Sequence, residues 1–189
     1  MPGRAGGERG DGPPPAGSPA PRAGSPASAA GSDGPMLLAT ALAIAAEAHA
    51  GQLDKAGHVY LAHPLRVAAR VAEAGDAAIA TALLHDVLED SSLTLADLAA
   101  AGVPATVLEA VDRLTRRVGE SHVDSVRRAA EHPVAALVKR ADIADNADPA
   151  RLALLPDDLR RRLAVKYRRA IAVLDDDTRT LPGDESAAP

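Results

Sequence analysis

The chain has 189 residues, enough for one domain with its own core, and it contains no cysteine, which excludes disulfides and thiolate metal sites. It has no Phe or Trp and only two Tyr, so the core must consist of Leu, Val, Ile and Ala, and an aromatic surface for stacking single-stranded nucleic acid is not expected. The net charge of −5 comes mainly from residues 175–189, because residues 36–174 carry 17 basic and 18 acidic side chains and have no general attraction to DNA or membranes.

The N-terminal part of the chain differs in composition from the rest. Residues 1–35 contain nine of the 15 Gly and eight of the 15 Pro and almost no large apolar side chains, so they are predicted to be a disordered tail. Met36 is the only Met after Met1 and opens the first helical segment, which makes it a hypothetical start of translation. There is no apolar signal-peptide core, and the apolar run from Met36 meets Glu47 too early to span a bilayer. We therefore expect a cytoplasmic protein with no membrane or nucleic-acid partner.

From residue 36 onward the apolar pattern is helical, and no alternating run of β-branched residues predicts a strand. Proline fits the first turn of several segments, and glycine follows the last turn of others. The predicted helices cover residues 36–50, 64–73, 76–90, 94–101, 104–115, 121–131, 133–146 and 156–174. The sequence therefore predicts an all-α domain of seven or eight helices over residues 36–174, followed by an acidic flexible tail over residues 175–189.

The last predicted helix separates its charged and apolar side chains onto two faces. The charged face is basic: Arg160, Arg161, Arg162, Lys166, Arg168 and Arg169. The other face is apolar: Leu159, Leu163, Tyr167, Ala170 and Leu174. We favour a solvated surface as the interpretation of the basic run, and a patch for a polyanionic partner stays as the alternative.

The segment LLHDVLED places four polar side chains inside an apolar run. On a continuous helix His85 lies one turn before Glu89, and Asp86 one turn before Asp90, so two polar columns flank one patch. The carboxylates near Asp86 repel each other unless a cation or a proton lies between them, or unless water surrounds them. Taken alone, the segment is therefore either a solvated helix face or a site.

Two further segments add residues of the same kind. In KRADIADN, Asp142 and Asn146 are one turn apart on a predicted helix. In YLAHP, His63 precedes a proline at the entrance to a helix, where a lone histidine is more often a turn or cap residue. Each segment is ambiguous by itself.

Together, two histidines and two carboxylates form a candidate set of metal ligands: His63, His85, Asp86 and Asp142. Imidazole and carboxylate ligands in this ratio suit Mn, Fe, Ni or Zn better than Ca. On a six-coordinate ion they leave room for a water and a substrate oxygen. Glu89 and Asp90 would then lie beside the ion, where they could handle the proton of the water.

The order H…HD…D resembles the metal-dependent phosphohydrolases of the HD-domain family. Four longer motifs narrow the resemblance: AHAGQ (residues 48–52), YLAHPLRVA (residues 60–68), ALLHDVLED (residues 82–90) and VKRADIADN (residues 138–146). They resemble the hydrolase domain of the RelA/SpoT-type enzymes that metabolise the alarmone (p)ppGpp, in its small stand-alone form. The resemblance covers roughly residues 37–174 and implies a compact HD-domain helical bundle.

The resemblance implies a role for each matching residue. The four candidate ligands would hold one Mn²⁺ ion, and Glu89 with Asp90 would position and deprotonate the attacking water. Lys139 would lie near the phosphates or support Asp142, and Asn146 would touch the ribose. The implied substrate-binding set is Lys55, Lys139 and Asn146. The implied reaction releases pyrophosphate from the ribose 3′ position of guanosine 3′,5′-bis(diphosphate).

Two positions depart from the alarmone hydrolases. Their loop after AHxGQ carries an Arg-Lys pair that stacks on guanine, whereas this chain has Asp54 and Lys55, and an acidic side chain cannot make that stack. Their last metal-binding Asp is followed by Arg-Leu-His-Asn, whereas here Ile-Ala-Asp-Asn follows (residues 143–146). Asp145 is then a substrate contact, a salt-bridge partner or a solvated residue, and we favour the last.

We expect the remaining histidines to have no role in the site. His49 ends the first predicted helix, and we expect backbone carbonyls to satisfy its ring. His58, His122 and His132 have no partner of ligand type at helical spacing, and we treat them as surface residues.

The leading hypothesis is a Mn²⁺-dependent phosphohydrolase that acts on a small-molecule nucleotide, with (p)ppGpp as the first candidate. The replacement at Asp54 keeps open a hydrolase of another nucleotide, such as a nucleoside monophosphate or a dinucleotide. A non-catalytic nucleotide sensor would not need Glu89 and Asp90, and a helical scaffold would leave the spacing of His and Asp unexplained. Only about 15 residues follow the last predicted helix, too few for an alarmone synthetase, so we expect hydrolysis alone.

Overall fold

The fold is built almost entirely from helices. The computed structural model describes residues 33–177, and within this range it contains ten α-helices, a 3-10 turn at Ala72–Ala74 and no β-strand. The helices are α1 (Asp33–Ala48), α2 (Ala62–Arg70), α3 (Asp76–Leu84), α4 (Val87–Asp90), α5 (Leu95–Ala100), α6 (Ala105–Leu114), α7 (His122–Ala130), α8 (Pro133–Asn146), α9 (Pro149–Leu152) and α10 (Asp157–Asp177). The all-α prediction is therefore confirmed. Within the same range, no helix is both long and apolar enough to cross a membrane.

Most helix boundaries lie within a few residues of their predicted positions. α8 covers the predicted range, residues 133–146. α1 begins at Asp33, inside the predicted tail, and α10 continues to Asp177, beyond its predicted end. The predicted disorder of residues 1–32 and the predicted flexibility of residues 178–189 lie outside the described residues.

The helix predicted to run through LLHDVLED is interrupted at its HD pair. α3 ends just before His85, and Asp86 has φ −105° and ψ −4° before α4 begins. The amide N–H groups of Glu89 and Asp90 both donate to the carbonyl of Asp86, so a new turn starts there. The prediction of two polar columns on one continuous helix is therefore wrong. At a junction between helices, the His85 and Asp86 side chains can point toward partners that a regular helix face would not reach.

The apolar core consists of two clusters that meet at α8. In the first, α3 packs against α1, α2, α6 and α8, and it is buried nearly all round, which is typical of a central helix. The second lies between α7, α8 and α10 and contains Val126, Ile143 and Tyr167. α8 supplies Ala141 to the first cluster and Ile143 to the second. Asp142, between these two residues, is therefore placed at the boundary of the clusters.

The two predicted faces of the last helix are both present on α10. The apolar side chains that are buried in the second cluster are Leu163, Tyr167, Ala170 and Leu174. The basic side chains are exposed or partly exposed, as expected for a solvated face. In the first turns of the helix, Arg160 and Arg161 pair with Asp157 and Asp158.

A buried arginine holds the chain segment between α6 and α7. The guanidinium of Arg128 donates hydrogen bonds to the carbonyl oxygens of Asp112, Arg113 and Thr115 at distances of 2.8 to 2.9 Å. It also donates to the carboxylate of Glu120 at 2.7 and 2.9 Å, and the residue is only 9% exposed. One side chain therefore fixes the conformation of the loop that connects the two helices.

Replacing Arg128 by Met should lower the free energy of unfolding by about 3 kcal/mol, because it removes one partner of a buried ion pair and leaves three carbonyl groups without a donor. Arg127→Met is the matched control. Arg127 pairs with Asp124 at 3.1 Å, and the two side chains are 61% and 59% exposed. A change below about 0.5 kcal/mol is therefore expected for the control. Urea unfolding of both variants measures the difference, and equal effects would contradict the role of Arg128.

The contribution of this ion pair to the free energy of unfolding is expected to depend on pH. Hydrogen bonds from Arg128 and from the amide of Arg117 hold the pKa of Glu120 at about 2, below its usual 4.5. Because the folded-state pKa is the lower one, the contribution is complete above about pH 4.5 and is lost as the pH falls toward 2. The stability difference between the wild-type protein and Arg128→Met should shrink over this range in urea unfolding. A difference that stays constant down to about pH 2.5 would contradict this expectation.

Candidate active site

Three buried side chains of ligand type meet at one point in the fold. His63 from α2, His85 from the α3–α4 junction and Asp142 from α8 each offer one atom, and these atoms all lie within 4.8 Å of one another. Nε2 of His63 is 3.2 Å from Oδ1 of Asp142, and Nε2 of His85 is 3.9 Å from the same oxygen. The structure thus brings together three of the four predicted ligands. We call these three residues the metal cluster.

Asp86, the fourth predicted ligand, lies beside the metal cluster. Its Oδ2 is 3.0 Å from Nε2 of His85 and 3.8 Å from Nε2 of His63. The same oxygen accepts a hydrogen bond of 2.5 Å from the hydroxyl of Tyr60. Tyr60 was not predicted as a site residue. The sequence feature that could have indicated its role is its position three residues before His63. In the structure the ring centroids of Tyr60 and His63 are 5.7 Å apart.

The histidine rings direct Nε2 toward the carboxylates. Nδ1 of His85 is 2.7 Å from the carbonyl of Ala82, and a carbonyl only accepts, so Nδ1 carries a proton. Nε2 of His85 is buried and, within the described residues, makes no hydrogen bond, although Oδ2 of Asp86 lies 3.0 Å away and Oδ1 of Asp142 lies 3.9 Å away. A buried nitrogen that faces two carboxylates in this way fits a divalent cation between them. The donor set therefore fits the kind of metal ion that the sequence predicts.

The charges of the site compensate one another. Burial alone would lower the pKa of His85, but the carboxylates of Asp86 and Asp142 outweigh burial and raise the pKa to about 9. Burial alone would raise the pKa of Asp142, but Lys139 and the histidines hold it well below the usual value. The carboxylates stay ionised in the core because positive groups surround them. A divalent metal would supply the same compensation while displacing protons from the imidazoles.

Asp145 is part of the site, and the expectation that it is solvated is wrong. Its side chain is 1% exposed and accepts hydrogen bonds from Nδ1 of His63 at 2.8 Å and from Arg66 at 2.8 and 3.1 Å. It also pairs with Arg151. Burial would raise its pKa, but the His63 and Arg66 hydrogen bonds hold the pKa below the usual range. The ionised carboxylate keeps a proton on Nδ1 of His63 and leaves Nε2 facing Asp142, which is how carboxylates orient metal-ligating histidines.

Asp54 stands where the alarmone hydrolases have a guanine-stacking arginine, and its carboxylate is already bonded. Oδ1 accepts hydrogen bonds from the amides of Ala56 and His58 at 2.9 and 3.0 Å, which closes the loop after α1. Oδ2 is 3.2 Å from Nη2 of Arg151. Arg151, on α9, therefore links Asp54 to Asp145 and ties this loop to the C-terminal end of α8.

The two predicted catalytic acids border a cavity of about 560 Å³ that also reaches Asp86 and Asp142. Oε1 of Glu89 accepts a hydrogen bond of 2.8 Å from the amide of Arg116. Burial and the nearby carboxylate of Asp86 raise the pKa of Asp90. The two acids therefore have different environments, although they are neighbours in sequence.

His49 has a side-chain partner in place of the backbone carbonyls that we expected. Its Nδ1 is 2.9 Å from Oε1 of Gln52, and its ring centroid is 4.9 Å from that of Tyr60. Gln52 in turn donates to the carbonyl of Asp90 at 3.0 Å. The AHAGQ motif therefore supports the turn that carries the two predicted catalytic acids.

The three predicted substrate-binding residues all border the cavity, and two of them also bond to Asp142. Nζ of Lys139 is 3.0 Å from Oδ2 of Asp142, and Nδ2 of Asn146 is 2.5 Å from Oδ1 of the same carboxylate. Lys55 borders the cavity from the loop after α1. Lys139 and Asn146 thus brace a predicted metal ligand, whereas Lys55 faces the space beside it.

Several residues that border the cavity were not predicted as site residues: Tyr60, Arg116, His122, Arg151, Lys166 and Tyr167. His122 was expected at the surface, but its Nε2 is buried beside the cavity, so that expectation is wrong. These residues come from five separate parts of the chain, and no short motif connects them.

The sequence model of the HD-domain family matches residues 41–160, and the chain belongs to this family. The matched range contains every residue of the metal cluster together with Glu89 and Asp90. The match confirms the predicted family and the class of enzyme predicted with it, the metal-dependent phosphohydrolases.

Among curated proteins, the chain is similar to proteins named as guanosine-3′,5′-bis(diphosphate) 3′-pyrophosphohydrolases and GTP pyrophosphokinases. It is 33% identical over 115 residues to the guanosine-3′,5′-bis(diphosphate) 3′-pyrophosphohydrolase of Aquifex aeolicus. This alignment covers 56% of this chain and 16% of the relative. It is 34% identical over 134 residues to the Haemophilus influenzae protein of the same name, with coverages of 64% and 19%. It is 32% identical over 144 residues to a probable GTP pyrophosphokinase of Mycobacterium leprae, with coverages of 71% and 18%. The chain spans less than a fifth of the length of each of these relatives.

A solved structure shares the fold. It is described as a metazoan ortholog of SpoT that hydrolyses ppGpp and plays a role in starvation responses. The TM-score is 0.61 at 23% sequence identity, and the alignment covers 76% of this chain and 94% of the other. At this level of identity the likeness shows the helical fold.

Asp145→Asn should weaken the binding of a divalent metal by about 10- to 100-fold, because an amide cannot act as the charged acceptor that orients His63. Titration with Mn²⁺, followed by the electron paramagnetic resonance of the free ion, measures the affinity. Asp148→Asn is the matched control, since Asp148 caps α9 and asparagine caps a helix about as well as aspartate. Unchanged affinity in Asp145→Asn would contradict the orienting role.

Proposed function

We propose that the protein is a Mn²⁺-dependent phosphohydrolase of the cytoplasm that acts on a nucleotide. The first candidate substrate is guanosine 3′,5′-bis(diphosphate), with pyrophosphate released from the 3′ position. The observation that carries the proposal is the metal cluster beside a cavity that Glu89 and Asp90 border. Similarity to the pyrophosphohydrolases of Aquifex aeolicus and Haemophilus influenzae supports the choice of substrate. The absence of cysteine is compatible with a reducing compartment.

In this proposal the metal is held by His63, His85, Asp86 and Asp142. When bound, the ion supplies Lewis-acid activation of the scissile phosphate and of water. Two imidazoles and two carboxylates are ligands that suit Mn²⁺ and leave room for the substrate. The hydroxyl of Tyr60 donates to Asp86 and fixes the position of that carboxylate.

In this proposal Asp90 accepts a proton from the attacking water. Its pKa is raised by burial and by Asp86, which brings its proton affinity closer to that of an effective base near neutral pH. Glu89 is fixed by the amide of Arg116 and would orient the water. The pair therefore divides two roles, with Glu89 as the orienting group and Asp90 as the base.

Lys139 and Asn146 keep Asp142 ionised and in place. Of the two roles considered for Lys139, its 3.0 Å contact supports the second, which is to support this carboxylate. Asn146 donates to Asp142 through Nδ2, so its amide oxygen stays available as an acceptor for a ribose hydroxyl. Lys55, which borders the cavity, would contact the substrate.

Metal-dependent turnover by the full-length chain tests this proposal. The protein is incubated with Mn²⁺ and a panel of nucleotides that includes guanosine 3′,5′-bis(diphosphate), and the release of pyrophosphate and phosphate is measured. Asp90→Asn should lower kcat by about 10²- to 10⁴-fold with unchanged metal content, because a base is lost while the ligands stay. Asp86→Asn should lose metal as well as activity. Asp157→Asn, at an exposed residue that pairs with Arg160, is the control and should keep both.

Two outcomes would contradict different parts of the proposal. No Mn²⁺-dependent release from any nucleotide, together with no bound metal by elemental analysis, would contradict the function as a whole. Turnover that persists in Asp86→Asn would contradict the assignment of the ligands.

A hydrolase of another nucleotide is the second candidate, and the contacts of Asp54 favour it. Its two oxygens are bonded to loop amides and to Arg151, so this position offers no guanidinium for stacking on a base. A kcat/KM at least about tenfold higher for guanine than for adenine nucleotides supports the alarmone hydrolase, and similar values support the second candidate. Asp54→Arg would not separate the two cleanly, because it would also release Arg151 and open the loop.

A further inference from the structure

One arginine contacts both positions at which this chain departs from the alarmone hydrolases. Nη2 of Arg151 donates to Oδ2 of Asp54 at 3.2 Å, and Nη1 of Arg151 donates to Oδ2 of Asp145. Asp54 lies on the loop after α1 (residues 49–61), whereas Asp145 lies on α8. An arginine in place of Asp54 would repel Arg151, and a neutral histidine in place of Asp145 would offer it no carboxylate. The two departures therefore fit each other through Arg151.

The same guanidinium also lies beside a predicted metal ligand. Nη1 of Arg151 is 3.4 Å from Nδ1 of His63, and this Nδ1 donates to Oδ2 of Asp145 at 2.8 Å. One carboxylate oxygen thus accepts from both His63 and Arg151. A displacement of Arg151 would therefore change the acceptor on which the orientation of His63 depends.

Asp54 holds Arg151 with one oxygen and the loop after α1 with the other. Oδ1 accepts from the amides of Ala56 and His58, and Oδ2 faces Arg151. Burial would raise the pKa of Asp54, but the two amides and the charge of Arg151 hold it below its usual value. The carboxylate is therefore ionised near neutral pH. A single charged group sets the positions of both the loop and Arg151.

Arg66 bonds to the same carboxylate without this link to the loop. Its Nε and Nη2 donate to Asp145 at 2.8 and 3.1 Å. Within residues 33–177, Arg66 makes no hydrogen bond or ion pair with Asp54. Both arginines thus support the acceptor of His63, but only Arg151 joins it to the loop after α1.

We propose that Arg151 is a positioning residue that couples the loop after α1 to His63, so that the affinity of the site for a divalent metal depends on where this loop lies. The loop carries Lys55, which borders the cavity. A ligand that favours the present position of the loop would then tighten metal binding, and by linkage bound metal would tighten the ligand by the same factor. The inference rests on the metal site of the proposed function, but it does not depend on which nucleotide is cleaved.

A double-mutant cycle on the full-length protein measures this coupling. Affinity for Mn²⁺ is obtained by titration, followed by the electron paramagnetic resonance of the free ion. Asp54→Asn keeps an acceptor oxygen for the loop amides and removes the charge that holds Arg151. It should weaken Mn²⁺ binding by about fivefold to tenfold in the otherwise wild-type chain. In the Arg151→Gln background the same substitution should change the affinity by less than about twofold, because the link is already absent.

Arg66→Gln is the matched control background, because it also removes a guanidinium from Asp145 but leaves the contact between Arg151 and Asp54. In this background Asp54→Asn should keep its full effect. Arg151→Lys keeps the positive charge but cannot place two nitrogens of a planar fork on two carboxylates, so it should lose the coupling as Arg151→Gln does. Circular dichroism should show the same helix content in every variant.

The outcomes separate the coupling from the proposed function. An effect of Asp54→Asn that is equally large with and without Arg151 overturns the coupling, because it would reflect only the loss of a negative charge near the metal. An unchanged affinity in Asp54→Asn overturns it as well. Coupling without hydrolysis of any nucleotide contradicts the proposed function and leaves the coupling standing, whereas hydrolysis without coupling does the reverse. A wild-type protein that binds no Mn²⁺ contradicts both.

Discussion

Asp142 is a carboxylate buried at the boundary of two apolar clusters, and the site around it keeps it charged there. At 7% exposure, an ionised carboxylate is destabilised by several kcal/mol unless neighbours compensate. Lys139 and Asn146, about one turn to either side on α8, donate to its two oxygens, and the imidazoles of His63 and His85 face Oδ1. The candidate metal site is therefore the polar part of the core, at the place where α2, α3 and α8 meet. A change that disturbs the packing of these helices also disturbs the ligands.

The positions of the predicted ligands depend in turn on a series of hydrogen-bonded side chains further from Asp142. Asp145 orients His63, Arg151 spans Asp145 and Asp54, and Asp54 closes the loop that carries Lys55. The link between Asp145 and His63 and the link between Arg151 and Asp54 join residues that are 82 and 97 positions apart in sequence, whereas Arg151 and Asp145 are 6 positions apart. The short helix α9 has no buried residue, yet through Arg151 it connects the cavity loop to the residue that orients a predicted ligand. Elements that contribute little to the apolar core can therefore be needed for the geometry of the site.

The residues that could be predicted from the sequence are those that stand in short motifs on helical segments. His63 and Asp142 are of this kind, because their apolar neighbours mark a buried helix and their own polarity breaks it. Asp145 could not be assigned, because its role depends on His63, which is 82 residues away. His122 could not be assigned either, because the cavity that it borders is formed by residues from other elements. The break at the HD pair was missed because LLHDVLED contains neither Gly nor Pro, so its composition predicts a continuous helix.

Asp54 changes where positive charge acts in the cavity. An arginine at this position would add a positive charge to the loop. The aspartate adds none, and it also pairs with Arg151, so that the charge of Arg151 is compensated. Within residues 33–177, the cavity cations with no carboxylate at ion-pair distance are Lys55, Arg116 and Lys166, which lie on three separate elements. A guanine-specific pocket would need another source of base recognition, and the apolar side chains that α9 and α10 bring to the cavity discriminate weakly between purines.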